Sequence, residues 1–360
     1  MRAVCRHFGA CGGCSFQDLS PGDYRALKRA GVTEPLARHG IDVFVAPLAE
    51  TVRGTRRRTT LKATKNGDSV ALGFHAARSH AIVDMEECHI LTPALLALVP
   101  DLRALLHRLL REGEEAAIGL TETQSGIDLM LSLPRTYGFD TALFAQWANR
   151  LNLARITVNG ELAVQLSVPT VRLGEADVVL PAASFLQPSR EGERILQRFV
   201  MDAAKGARRI ADLFSGCGTF ALILAKSSAV HAVDSDTSAL QALRDAARSM
   251  KGIKPVTIEI RDLFKRPLRP EELNDFEAVI IDPPRAGALA QTRMIAQSRV
   301  DRIVYVSCNP ESFARDAAIL IEAGFRLEDV QPVDQFLWSK HIELVGRFEK
   351  RPEWSRRRKD

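Results

Sequence analysis

The chain has 360 residues, with 49 Lys+Arg, 44 Asp+Glu, six Cys, 46% hydrophobic residues and a formal charge of +5. No apolar run approaches the roughly 18–20 residues of a membrane span, and Met1-Arg2-Ala3-Val4-Cys5 opens no apolar core for a secretory signal. The composition argues against a membrane protein, a collagen or a disulfide-dense secreted module; cytoplasm, where thiols stay reduced, is the expected compartment.

At roughly 100–200 residues per domain the length suggests two or three domains. Three segments are expected: 1–40, 41–180 and 181–360. Residues 1–16 are rich in Cys and Gly. Pro21 to His39 reads as helix, broken at Gly31 and Pro35. From Val43 to Leu180 short alternating runs predict strands, among them 59–64, 69–74, 81–85, 127–133, 156–158 and 163–168. Asn66-Gly67 and Asn159-Gly160 are hairpin signals. Amphipathic helices are expected near Pro93–Arg111 and Asp140–Leu151. This is an α+β segment built on antiparallel pairing.

Beyond Pro181 nearly continuous apolar strands alternate with helices. Strands are expected at 209–214, 229–234, 256–260, 278–282 and 302–307. Helices are expected at 192–205, from 219, from 237, at 291–298 and at 311–323. This pattern predicts a doubly wound parallel sheet of the α/β class, with ligands at the carboxyl ends of its strands. Charge is unevenly spread. Thr51–Asn66 holds six basic residues, including Arg53, Arg56, Arg57 and Arg58, and no acidic one; Arg347–Asp360 holds seven basic and three acidic. Two basic patches on an otherwise acidic chain suggest a polyanionic partner, and no membrane.

Asp212-Leu213-Phe214-Ser215-Gly216-Cys217-Gly218-Thr219 follows the first of these strands and opens a helix. Its glycines allow close backbone approach to a ligand, but Ala221 departs from a dinucleotide fingerprint. Val233-Asp234 ends the second strand with a carboxylate suited to ribose hydroxyls, and Asp262 ends the third. Strand four runs into Ile281-Asp282-Pro283-Pro284-Arg285 and strand five into Ser307-Cys308-Asn309-Pro310. Cys308 is either a core thiol or a nucleophile at the ligand-bearing edge. Glu343, in Lys340-His341-Ile342-Glu343-Leu344-Val345, is expected on a strand; if it points inward, burial raises its pKa. Cys5, Cys11 and Cys14, with Cys88 farther on, read as ligands of zinc or of an iron–sulfur cluster.

Together these motifs resemble the RNA uracil-5-methyltransferases, S-adenosylmethionine (SAM)-dependent enzymes of the class I fold that make 5-methyluridine. Asp282-Pro283-Pro284-Arg285-Ala286-Gly287, Ser307-Cys308-Asn309-Pro310 and Glu343 carry the resemblance most specifically. It implies a C-terminal Rossmann-like SAM domain, a central α+β RNA-contacting domain and an N-terminal iron–sulfur segment. It implies that Gln187, Phe214, Thr219, Asp234, Asp262 and Asp282 line the SAM and target-base pocket, with Cys308 as nucleophile and Glu343 as general base. It also selects a [4Fe–4S] cluster on Cys5, Cys11, Cys14 and Cys88, the branch of the family acting on 23S ribosomal RNA. The small β-barrel RNA-binding domain of many relatives has no room before Cys5, so Arg53, Arg56–Arg58 and the C-terminal tail are the expected phosphate contacts. Thr219, Asp234 and Phe336–Lys340 depart from the family pattern. A tRNA uridine-5-methyltransferase, a non-catalytic iron–sulfur RNA-binding protein and an amino-methyltransferase are the competing readings; in the last, Cys308 has no task.

Overall fold

The computed structural model describes residues 3–134 and 140–350. The helix Pro21–Arg38 is unbroken, contrary to expectation, and Pro35 lies inside it. Its buried residues Tyr24, Lys28, Val32 and Leu36 recur every four positions, so one stripe is fixed against the rest of the fold. That packing holds the helix through the hydrogen bond that proline cannot donate.

After the short strand β1 (Ala49–Glu50) the chain builds a seven-stranded sheet. Its strands are β2 (Arg58–Asn66), β3 (Ser69–His75), β4 (Ile82–Asp84), β5 (Glu115–Thr123), β6 (Gly126–Ser132), β7 (Leu153–Val158) and β8 (Glu161–Gln165), in the order β4-β3-β2-β5-β6-β7-β8. Both hairpin signals are used. The β7–β8 loop has positive φ at Asn159 (50°) and Gly160 (87°), the geometry that matches strand twist. Pairing is antiparallel except between β6 and β7, which run parallel because the helix Thr141–Arg150 crosses between them. β5 was not foreseen, although Ile118 and Leu120 on it are fully buried. The single helix expected over 93–111 is two, Pro93–Ala97 and Val99–Leu109, with Pro100 near the start of the second.

The hairpin β9 (Thr170–Leu173) and β10 (Ala176–Val179) packs its buried face, Val171, Leu173 and Val178, with Ala239, Ala242 and Ala246 of the helix Thr237–Ser249. The second large sheet follows. It contains β11 (Arg209–Leu213), β12 (Ala229–Asp234), β13 (Val256–Ile260), β14 (Ala278–Ile281), β15 (Arg302–Ser307), β16 (Phe325–Asp334) and β17 (Glu343–Lys350), in the order β1-β16-β17-β15-β14-β11-β12-β13. β11 to β15 are parallel, and β11, β12, β14 and β15 are largely buried under helices on both faces, whereas β13 is the half-exposed edge. The sheet is not wholly parallel, because β16 and β17 form an antiparallel hairpin and β1 pairs parallel to β16. The strand order reverses between β11 and β14, which opens a crevice at their carboxyl ends. Among the described residues no helix is long and apolar enough to cross a membrane.

Candidate functional site

The crevice begins where β11 ends. Phe214 takes a left-handed φ of 60°, followed by Gly216 at 52° and Gly218 at 94°, a sharp turn into the short helix Ala221–Leu224. No atom lies within 4 Å of where a Gly216 side chain would start, so the backbone there faces open space. Asp234 braces the turn: Oδ2 accepts from the Gly216 amide at 2.8 Å and Oδ1 from the Asp236 amide at 2.8 Å. Asp262 accepts from the Phe264 amide at 3.0 Å and lies 3.3 Å from Lys265. Desolvation raises its pKa, but Lys265 and the backbone amides outweigh that and hold it below the usual range. Phe214 packs against exposed Phe264, ring centroids 5.4 Å apart, and the Thr219 carbonyl accepts from Gln197 at 3.1 Å.

Two buried polar groups line this turn: the Asp212 carboxyl, beside the Ala221 amide, and the Ser215 hydroxyl, which has no partner among the described residues. Burial, then the charge of Asp282, pushes the Asp212 carboxyl far above its ordinary range. A buried hydroxyl without a partner beside an open glycine turn suits a polar nucleoside ligand such as SAM.

The chemistry-bearing residues meet on the other side of the switch point. Ser307 pairs with Leu344 across β15 and β17, so the next residues, Cys308 and Glu343, face each other at the ends of adjacent strands. Asp282 follows β14, the neighbour of β15, and its amide donates to Leu213 at 3.2 Å. Asn309 fastens the two loops, because its Nδ2 donates to the Arg285 carbonyl at 2.8 Å while its Oδ1 caps the helix Pro310–Glu322.

Glu343 points inward and is 3% exposed. Burial, then the charge of Asp282, lifts it to about 8, against a hydrogen bond from Gln335 that lowers it. Burial lifts Asp282 to about 7, so the carboxylates titrate as an interacting pair. Burial and these two carboxylates raise Cys308 to about 11, with Arg285 opposing, so its thiol is protonated at neutral pH. Cys308, Arg285 and Gln335 line a cavity of about 1190 Å³ whose far wall includes Cys11, Gly12, Gly13 and Cys14. Phe214, Thr219, Asp234 and Asp262 do not line it, and neither do Gln187, Asp282 and Glu343, which connect to its lining residues Gln335 and Cys308 by hydrogen bonds or charge.

Several residues of this site were not foreseen. Gln335 Nε2 donates to Glu343 Oε2 at 2.9 Å and to Gln187 Oε1 at 2.8 Å, joining three buried side chains. Lys28, on the helix Pro21–Arg38, pairs with buried Asp334 at 2.8 Å and also donates to the carbonyls of Phe336 at 3.2 Å and His341 at 2.6 Å. Tyr24 donates to Asp334 as well and accepts from the Trp338 amide at 2.8 Å. The amides of Ser15 and Phe16 donate to the Trp338 carbonyl at 2.6 and 3.1 Å. The loop before Glu343 is thus held from the N-terminal segment. An acidic residue beside an amide, Asp334-Gln335, closing a strand was the available signal.

The basic patch requires a correction. Arg57 is 2% exposed, pairs with buried Glu193 at 2.7 Å and donates to the Gln187 carbonyl at 3.1 Å, so it is a packing residue and not a phosphate contact. Arg53, Arg56 and Arg58 lie over the rings of Trp338 (5.0 Å), Phe336 (5.8 Å) and Phe185 (5.4 Å). Arg347 of the basic tail is paired with Asp329 at 2.5 Å, and residues 351–360 lie outside the described residues.

Cys5, Cys11, Cys14 and Cys88 line one small cavity together with His7 and Gln17. Burial raises the thiols of Cys5, Cys14 and Cys88, with Cys14 at about 11. Among the described residues no group of three or more His, Cys, Asp or Glu side chains is placed to hold a single metal ion.

A glycine turn, acidic strand ends and a switch-point crevice define a class I SAM-dependent methyltransferase. Residues 178–351 match the family described as tRNA (Uracil-5-)-methyltransferase. An uncharacterized RNA methyltransferase of Brucella suis is 43% identical over 344 residues, covering 95% of this chain and 83% of the relative. The 23S rRNA (uracil(1939)-C(5))-methyltransferase RlmD of Halomonas elongata is 31% identical, covering 95% of this chain and 75% of the relative. Among solved structures, the Pyrococcus abyssi tRNA (uracil-54, C5)-methyltransferase in complex with S-adenosyl-L-homocysteine shares the fold, with a TM-score of 0.74 at 24% identity over 93% of this chain and 85% of that one. The chain belongs to the RNA uracil-5-methyltransferase family, and is a SAM-dependent RNA (uracil-C5)-methyltransferase.

Proposed function

We propose that this enzyme methylates C5 of a uridine in 23S ribosomal RNA through a covalent bond between Cys308 Sγ and C6 of the base. The facing of Cys308 and Glu343 at adjoining strand ends, beside Asp282, carries this reading. C5 of uracil is a poor nucleophile until a thiolate adds at C6 and makes the ring an enolate. The Cys308 proton passes to Asp282, one of a neighbouring carboxylate pair that titrates near neutrality, which leaves Glu343 free to act as base. Bound SAM supplies the methyl group as an electrophile to C5. Glu343 then takes the C5 proton, the C5–C6 double bond re-forms and Sγ leaves.

Gln187, Phe214, Thr219, Asp234, Asp262 and Asp282 would hold SAM and the target base, with Asp282 hydrogen-bonding the base. The base must leave its stack to reach Cys308, which favours a looped or single-stranded target. Arg53, Arg56 and Arg58, each over an aromatic ring, suit both phosphate and base contact, and Arg56 lines the cavity of Cys308. The substrate named for the RlmD relative supports ribosomal over transfer RNA.

Cys5, Cys11, Cys14 and Cys88 would hold a [4Fe–4S] cluster. Four thiols around a common cavity are the donor set it requires, and a cluster spaces its ligands more widely than a single ion does. Its role is structural, since methyl transfer needs no electron. Iron and sulfide analysis of anaerobically purified protein should give both elements, whereas zinc alone would refute the assignment. Labelled SAM with 23S and transfer RNA transcripts tests the main reading. Label should appear as 5-methyluridine in 23S RNA and be lost with Cys308→Ala; label in transfer RNA alone, or full activity of the variant, would overturn it.

A further inference from the structure

We infer that Gln335 is a positioning residue that fixes which end of the Gln187 amide meets the target base, and thereby the choice of uracil over cytosine; this rests on the reading of Gln187 as part of the target-base pocket. A side-chain amide is ambiguous. Rotated by half a turn, it offers a carbonyl acceptor where it had offered N–H donors. A free glutamine could therefore satisfy uracil, whose C4 bears an oxygen acceptor, or cytosine, whose C4 bears an amino donor.

Here that freedom is removed. Gln335 lies at the mouth of the β16–β17 hairpin and is 3% exposed. Its nitrogen is 2.9 Å from Glu343 Oε2, and once Glu343 is ionised, as a general base must be, that oxygen can only accept, so in the reactive state the nitrogen stays on that side. The same nitrogen lies 2.8 Å from Gln187, whose oxygen must then face it. Both N–H groups of Gln335 are thereby used. Its oxygen is sealed from solvent without a partner, pressed against Gly192, where a Cβ would stand 2.8 Å from it. Only glycine leaves room for the amide in this orientation. Gln187 is left with Nε2 directed away from Gln335, and it is not among the polar atoms sealed in the interior without a partner. Two N–H donors therefore remain for the ligand. They match O4 of uracil and oppose the amino group of cytosine, and a mismatched buried polar pair is the strongest discrimination a binding site can offer.

Stem–loop RNAs carrying 5-fluorouridine or 5-fluorocytidine at the target position test this. Fluorine cannot be removed as a proton is, so a methylated adduct on Cys308 is trapped and shifts on a denaturing gel. The native protein with SAM should capture fluorouridine and discriminate against fluorocytidine. Gln335→Met removes both N–H groups and frees the Gln187 amide; the capture ratio should fall by about tenfold or more with SAM binding unchanged. Gly192→Ala displaces the same amide without altering a pocket residue and should lower the ratio too, so the test survives if Gln335→Met fails to fold. Turnover of Gln335→Met on uridine RNA should also need higher pH, because Glu343 loses the hydrogen bond that favours its charged form. Equal losses with both fluorinated RNAs, or an unchanged ratio in folded variants, would overturn the role of Gln335 alone. No adduct between native protein and fluorouridine RNA would overturn the covalent chemistry, and this inference with it.

Discussion

The nucleoside crevice and the thiol cavity lie on either side of one switch point but are built differently. The crevice is local. Phe214 to Gly218 turn on their own backbone, and Asp234 and Asp262 bind amides within a few residues or on the next strand. The cavity is assembled from the whole length of the chain. Lys28 reaches Asp334 across 306 positions, Arg57 reaches Glu193 across 136, and Gln335 joins Gln187 across 148. Binding a common donor calls for a reusable turn; choosing and holding one base calls for a buried network that no short motif encodes.

Cys308→Ala tests the cavity most severely. Turnover should fall by roughly three orders of magnitude or more, and the covalent RNA adduct should vanish from denaturing gels, while SAM affinity measured by calorimetry stays within about twofold. Should SAM affinity fall with it, the two regions are not separable. Glu343→Gln should lower turnover by roughly 10²–10⁴-fold and leave a methylated adduct to accumulate, since the thiol cannot leave until C5 loses its proton. Rapid release of product would remove Glu343 from the role of base.

Lys28→Met probes the long-range frame. It strands Asp334 as a buried unpaired charge and frees the carbonyls of Phe336 and His341, so about 3–5 kcal/mol of stability should be lost in a denaturant titration. Asp234→Ala acts on the crevice alone: SAM affinity should drop roughly tenfold, with RNA affinity and stability nearly unchanged. The smallest effect is on pH dependence. Burial lifts Glu343 from 4.5 to about 8, so between those values the folded chain holds a proton that the unfolded chain has lost. Stability should therefore fall as pH rises through this window, while turnover rises towards pH 8 as the base ionises. In Glu343→Gln the stability slope should flatten; an unchanged slope would mean that other groups dominate it.

The same contrast explains what could be read from the sequence. The parallel strands were legible because helices cover both faces and leave nearly continuous apolar runs, as in Ala278–Ile281. Residues at their carboxyl ends followed from the rule that ligands bind there. The β16–β17 hairpin, the parallel β6–β7 pair and β5 were missed, because pairing partners are set by tertiary packing and not by alternation. Arg57 illustrates the limit. In sequence it is one of three consecutive arginines, and only Glu193 and the Gln187 carbonyl, both brought in by folding, distinguish it from its neighbours. Gln335 carried no signal of its own beyond standing beside Asp334 at a strand end, and its meaning lies in the two partners of its nitrogen.

The pairing of Ala49–Glu50 with Val333–Asp334 has a consequence for biosynthesis. These two stretches are separated by nearly the full length of the polypeptide, with the Thr51 hydroxyl bonding the Asp334 carbonyl across 283 positions. A ribosome must have passed residue 334 before the edge of the second sheet can close. Glu343 and its partner Gln335 lie beyond that point, so the contacts that order the thiol site form only after the chain has passed them.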